Sequence, residues 1–223
     1  MPAHYEVVAG IPLPARLSGH PALDFCNTRS GWDGNAPGDY LKSYRHLAVW
    51  AGFTGLLPHD RVTSLLEASD GERPAEILER ARRFRASLYE VIRNGAPGSA
   101  WDSVAGEVHA AATAVRLLPA DGIFHWEFPA GAGLAAPLLA AAWAAGGLLT
   151  SSDPSLVRAC PGTGCGWLFL DRRGRRRWCT MAACGNREKA RRFTAGKRGR
   201  PSPDSCRQRA GVPLPDGSAD AAR

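Results

Sequence analysis

Four of the six cysteines, Cys160, Cys165, Cys179 and Cys184, lie in one 25-residue span. They form two close pairs, each Cys-x4-Cys, separated by thirteen residues. Two thiolate pairs joined by a hairpin-sized insert suit one tetrahedral Zn(II). Four sulfurs fill that coordination sphere and leave no position for a reacting water, so the metal's expected role is structural. Two disulfides or four unrelated buried thiols are the alternative, but clustered pairs in a reducing compartment favour metal. Gly162, Gly164 and Gly166, around Cys165, permit the positive φ that a ligand-bearing turn needs. Cys26 sits in an apolar stretch and reads as a small core residue, whereas Cys206 reads as a free exposed thiol.

The cysteines are embedded in positive charge. The chain of 223 residues carries a net charge of +7. Residues 160–200 hold twelve Lys or Arg against two Asp or Glu, a balance of +10, and the rest of the chain sums to −3. A zinc tetrathiolate lowers the +10 only to +8. Such asymmetry points to an anionic partner, a solvated basic tail being the alternative. Arg172, Arg173, Arg175, Arg176 and Arg177 crowd a predicted hairpin tip, where a polyanion would stabilise them by counterion release. Asn186, Arg187, Lys189, Arg191 and Arg192 follow on a predicted helix, where the charges bracket the axis instead of forming one stripe. Asn186 and Arg187 would either contact bases or stiffen the module through carbonyls and thiolates. Trp167, Phe169 and Trp178 would either stack on bases or anchor a minimal core.

The elements that must position these groups are mostly helical. Residues 1–20 read as an extended lead-in, and Pro21–Arg29 as a short helix or buried segment. Asp39 looks like the N-cap of a helix over Tyr40–Phe53. Helices are predicted over His59–Ala68, Glu72–Asn94 with Gly95 as stop, Ala100–Leu118 before Pro119, and Leu134–Leu149. Ile123–Phe128 is the best strand before the cysteines, and Trp167–Leu170 is a strand whose return is Arg175–Trp178. The fold class expected is mainly α: a multihelical domain with a short β segment over 1–155, a small treble-clef-like zinc module of β-hairpin and helix over 156–195, and a disordered tail over 196–223. The boundary near 155 is not a linker, because apolar residues run almost to Cys160.

Two strings are recognisable. Cys160-Pro-Gly-Thr-Gly-Cys165-Gly-Trp-Leu-Phe-Leu-Asp171, then Arg-Arg-Trp178-Cys179-Thr-Met-Ala-Ala-Cys184-Gly185-Asn186-Arg187, closely resembles the CGNR zinc-finger family. Gly19-His-Pro-Ala-Leu23-Asp24-Phe25-Cys26-Asn27-Thr28 resembles the opening of the ABATE domain that usually precedes that finger. The resemblance implies a stress-related bacterial transcription regulator whose helical domain senses a ligand and whose finger binds DNA. It carries over the four cysteines as zinc ligands, and Gly185, Asn186 and Arg187 as signature positions. The tip, Asp171-Arg-Arg-Gly174, is about two residues shorter than the family's usual Asp-Thr-Ser-Arg-Asn-Gly type, which leaves the tip contacts open.

Asp24, Asn27, Thr28 and Arg29 form a polar cluster beside Leu23 and Phe25; they would line a ligand pocket or cap backbone at a buried turn. No catalytic Ser-His-Asp order, phosphate-binding loop or His-Glu-x-x-His stands out, so no enzyme is expected. No secretory pattern opens the sequence and no breaker-free apolar run reaches about 18 residues, so the expectation is a cytoplasmic protein with no membrane partner. DNA is the expected partner. RNA, or a protein partner with purely structural zinc, is the alternative. One finger is a small footprint, which makes a homodimer attractive on affinity grounds.

Overall fold

The apolar spacing of the N-terminal two thirds closes helices onto one another, with short hairpins filling the gaps. In a computed structural model, residues 5–32, 34, 37–95, 98–120, 122–151 and 153–198 are described. The chain divides into two compact units, Met1–Asn186 and Arg187–Arg223. The first holds all four clustered cysteines together with the helical part.

Tyr5–Val8 (β1) and Ile11–Pro14 (β2) pair antiparallel, so the lead-in is a hairpin whose Ile11 and Leu13 enter the core. Pro21–Cys26 is a short helix (α1), and the His20 Nδ1 accepts the N–H of Ala22 at its start. Arg29–Ser30 (β3) and Gly38–Asp39 (β4) form a two-residue ladder. Asp39 is therefore in a strand and is not the N-cap expected of it; the next helix (α2) runs Tyr44–Phe53 from Ser43. The cause is electrostatic. Asp39 faces the buried Arg85, whose Nη1 donates to its Oδ1 at 2.9 Å and whose Nη2 donates to its Oδ2. The same Nη1 reaches Thr28 Oγ1 at 2.8 Å. Burial alone would push the Asp39 carboxyl up, but the Arg85 pair outweighs it and holds the carboxyl below its ordinary value.

His59–Glu67 (α3) and Arg73–Asn94 (α4) follow, and α4 stops at Gly95 in the left-handed region, as its sequence predicts. The next helix (α5) covers Ser99–Ala114 only. The expected extension to Leu118 is instead a strand, Arg116–Ala120 (β5), paired with Ile123–Glu127 (β6). Leu117 and Leu118 fitted a helical period, but Pro119 is disfavoured in a helix and Gly122 supplies a positive φ for the turn.

Ala136–Leu149 (α6) packs against α1, α2 and α5, with Leu138, Ala141, Ala142, Ala145 and Leu148 buried. Its small residues permit close approach: a Cβ on Gly146 would lie 2.9 Å from Val108 of α5. By length and composition Ala130–Leu149 could cross a membrane, but half of it is buried within this fold. Phe25, Trp50 and Phe84 form the aromatic centre, with ring centroids 5.0 and 5.7 Å apart.

Val157–Ala159 (β7) pairs antiparallel with Leu168–Leu170 (β8), and a π-turn over Met181–Gly185 leads into a final helix (α7), Asn186–Arg198. The return strand expected at Arg175–Trp178 is absent: β8 takes its partner from before the first cysteine. The expected disordered tail begins inside α7; residues 199–223, with Cys206, lie outside the described residues.

Replacing Arg85 with Met should destabilise the fold by about 1–3 kcal/mol, because half-buried Asp39 would lose its bonded partner and keep only Arg82, 3.7 Å away. Denaturant unfolding of Arg85→Met and of the Asp39→Asn, Arg85→Met double variant checks this. The double variant should recover part of the loss.

Candidate metal centre

The first knuckle begins where β7 ends. Cys160 N donates to Trp167 O at 2.8 Å, and Cys165 N donates to Gly162 O at 2.9 Å, which folds the intervening residues into a tight loop. Two glycines are sterically required there. A Cβ on Gly162 would lie 3.0 Å from Cys184 Sγ, and one on Gly166, at φ +69°, would lie 2.7 Å from Trp32 Cβ. The second pair stands on the far side: Cys179 precedes the π-turn and Cys184 lies within it.

The four buried Sγ atoms all lie within 4.8 Å of one another. Cys165 and Cys179 sulfurs are 3.7 Å apart. Ligands about 2.3 Å from a tetrahedral zinc lie about 3.8 Å from each other, whereas a disulfide needs about 2.0 Å. All four are free thiols, so the disulfide alternative fails on geometry. Their mutual electrostatics also fit a cation. Hydrogen bonds from Cys165 and Cys179 pull the Cys160 thiol down to about 7. The same proximity pushes Cys165 and Cys179 up, because each further anion would form beside the first. A divalent ion removes that penalty, and these residues hold one structural zinc.

The predicted arginines separate by partner. Arg176 is half-buried: its Nε donates to Trp178 O at 3.2 Å, its Nη2 to Cys179 O, and its guanidinium lies 4.3 Å from the Phe169 ring centre. Burial lowers its pKa, and the Cys179 charge works against that. Arg172 forms a two-pronged pair with Asp153, at 2.8 and 2.6 Å. Arg177 sits 5.1 Å from the Trp178 ring centre. Asp171 Oδ1 accepts the N–H groups of Arg175 and Arg176 at 3.0 and 3.2 Å and so sets the turn, with Gly174 at φ +64°. Arg173 and Arg175 side chains are exposed, with no ion pair among the described residues. In α7, Arg187, Lys189, Arg191 and Arg192 are all exposed, and Arg192 pairs with Glu188 at 3.3 Å. Asn186 is exposed and its Nδ2 makes only a weak contact with Ala182 O, at 3.4 Å; its backbone N–H, bonded to Met181 O, closes the π-turn. Trp167 and Phe169 are core residues of the module.

Residues 157–197 match the CGNR zinc finger. Residues 19–152 match the ABATE family, described as "Putative stress-induced transcription regulator". The chain belongs to the ABATE family. None of the curated proteins compared with it matches.

Of the ABATE residues singled out in the sequence, Asn27 and Arg29 bond the finger directly. The Asn27 side-chain amide binds both backbone groups of Leu168, donating to its carbonyl at 2.9 Å and accepting its N–H at 2.8 Å. Thr28 Oγ1 donates to Phe25 O at 2.6 Å. The Arg29 carbonyl accepts the indole N–H of Trp167 at 2.9 Å, while its guanidinium covers Trp32. Asp24 Oδ1 accepts the N–H of Ser18, whose carbonyl in turn accepts the N–H of Leu170. Trp32 and Tyr89 were not foreseen. Their rings stack 3.8 Å apart, Tyr89 Oη donates to Gly166 O at 2.8 Å, and Trp32 N reaches Cys165 O. No sequence signal links two aromatics 57 positions apart, one on a loop and one on α4.

Replacing Cys179 with Ser should reduce zinc from one per chain towards none, read by elemental analysis. Acidification should release zinc from the unaltered protein, since the ligands bind as thiolates and reprotonate as pH falls. Asp24 yields a second expectation. Burial raises its carboxyl from 3.8 to about 6. The folded state therefore keeps a proton that the unfolded chain has lost, and this carboxyl's own contribution to stability falls as pH rises from about 4 through 6, opposite in sign to that of the zinc thiolates. Asp24→Asn should flatten that fall and add roughly 1–2 kcal/mol at pH 7.5, measured by denaturant unfolding at both ends of the range.

Proposed function

We propose that this protein is a zinc-dependent, DNA-binding transcription regulator of the cytoplasm. One observation carries the reading. A turn fixed by Asp171 and anchored beside the zinc thiolates presents Arg173 and Arg175 to solvent with no acidic partner among the described residues, in a region whose formal balance is strongly positive. A rigid cationic tip suits phosphate contact, which positions a protein on duplex DNA without reading sequence. The exposed cations of α7 (Arg187, Lys189, Arg191 and Arg192) supply further charge. Arg172 and Arg176 belong to the scaffold in this reading. Base readout is assigned to no residue.

DNA is preferred over single-stranded RNA because two of the three candidate stacking residues, Trp167 and Phe169, are inside the module, and the third, Trp178, lies beneath Arg177. The ABATE part is the sensing part of the proposal. Asn27 bonds the finger, while Asp24 holds Ser18 and Thr28 is held between Phe25 and Arg85, so the effector is placed elsewhere, in a cleft of about 670 Å³ between α4 and the first knuckle, lined by Trp32, Tyr89, Glu90 and Arg93. An effector there would touch the wall of the zinc site.

Titration of zinc-loaded protein with duplex DNA should show affinity falling steeply with salt. Arg173→Glu with Arg175→Glu should weaken binding at least tenfold and flatten the log–log salt slope by about 2, with zinc content unchanged. Affinity that ignores salt, or that survives the double reversal, overturns the tip assignment. Tighter binding to single-stranded RNA than to duplex DNA overturns the choice of nucleic acid.

A further inference from the structure

The β5–β6 hairpin is a small two-stranded sheet that leaves large apolar side chains in solvent. Phe124 is 72% exposed, Ile123 68% and Trp126 54%. Leu117 lies opposite Trp126 and Pro119 opposite Phe124, so these four share one face. Trp126 touches Trp143 of α6, with ring centres 5.2 Å apart, and the face is otherwise open.

The two edges of this sheet differ. Two residues separate Ala120 from Ile123, so that closing pair exchanges both of its hydrogen bonds, and the next pair, Pro119–Phe124, is a non-bonded one. Pro119 has no N–H to offer and fits only such a position. Its missing donor lies on the outer edge of β5, which is thereby blocked against a further strand. On β6 the alternation aims the N–H and C=O of Phe124 and Trp126 outwards, and no backbone partner takes them among the described residues.

We infer that the free β6 edge pairs antiparallel with the β6 edge of a second copy, forming a homodimer around a continuous four-stranded sheet. The register is set by the outward groups. With His125 on the two-fold axis, Phe124 lies opposite Trp126 of the other copy, and the reverse pair completes four backbone hydrogen bonds. Each aromatic meets an aromatic on the same face. The polar side chains of the other face can also pair across the axis. His125 pairs with Glu127 of its own strand at 3.3 Å, and the antiparallel register sets each His125 diagonal to the other copy's Glu127. The exposed side chains offer roughly 500 Å² per copy, against the ~800 Å² per partner of a stable interface, and the backbone and flanking residues add to that. A patch of this size is in the range of the largest apolar patch on a typical chain, and such patches are often functional. This inference does not depend on DNA binding.

Sedimentation velocity of the full-length, zinc-loaded protein at micromolar concentration should give twice the mass of one chain, falling to a single chain on dilution. Phe124→Pro removes an outward N–H that the hairpin does not use. It should halve the mass while circular dichroism and zinc content stay unchanged. In a Cys206→Ser background, His125→Cys should cross-link to its copy under mild oxidation, because residues on the two-fold axis face one another at disulfide distance. Leu117→Cys, on the far strand, should not. A single-chain mass at every concentration overturns the proposal. So does a dimer that survives Phe124→Pro and fails to cross-link through His125→Cys.

Discussion

Four sulfurs brought within van der Waals range cannot all be anionic without a cation between them, and the cation cannot be held unless all four are anionic. This mutual requirement organises the segment from Cys160 to Cys184. The loop from Cys160 to Cys165 must turn sharply enough to aim two ligands at one point, which is why Gly162 and Gly166 admit no Cβ. The second pair must approach from the far side, and a π-turn brings Cys184 there. Even the placement of Arg176 follows, since a cation beside the Cys179 carbonyl and the Phe169 ring lies where the tetrathiolate adds negative charge.

A module this small cannot bury enough surface to stand alone on packing. Its apolar cluster contains the four cysteines, Trp167 and Phe169, and it is completed by Trp32 and Tyr40 from the ABATE part. The strand β8 is bonded on one side by β7 and at Leu168 by the Asn27 amide, which takes the place of a further strand. Net hydrogen bonds contribute about 1 kcal/mol each, but an orphaned buried partner costs more, so these polar contacts specify the docking more than they drive it. The compact unit accordingly runs through Asn186 and takes in both halves of the zinc site.

The ligands were legible because metal geometry is local: four cysteines at fixed spacing say nearly everything about a tetrahedral site. The long helices were legible for the same reason, as α4 carries both its period and its glycine stop in sequence. What escaped were features decided by distant partners. Asp39 has the chemistry of an N-cap, but a buried arginine 46 positions away claimed it. Leu117 and Leu118 continue a helical period, yet the proline after them and the glycine turn favour a hairpin. Arg175–Trp178 looked like the return of β8, whereas the ladder came from residues before the first knuckle. The cluster at Asp24–Arg29 announced buried polar chemistry without saying what it bonded, because the partners of Asn27 and Arg29 lie about 140 residues further on and that of Thr28 lies on α4.

The arginine-rich tip shows how far composition goes. Counting charge located the basic region correctly but treated five arginines as equivalent. The fold gives them different work: Arg176 is wedged against an aromatic ring and two carbonyls, Arg172 is neutralised by Asp153, and Arg177 lies over Trp178. An arginine whose donors are already saturated by the protein has few left for a phosphate, and moving it would strip buried carbonyls of their partners. Arg173 and Arg175 carry neither constraint. The same turn that fixes their backbone through Asp171 leaves their side chains unclaimed. A nucleic-acid surface of this kind is built by immobilising some cations so that others are held out at a defined place.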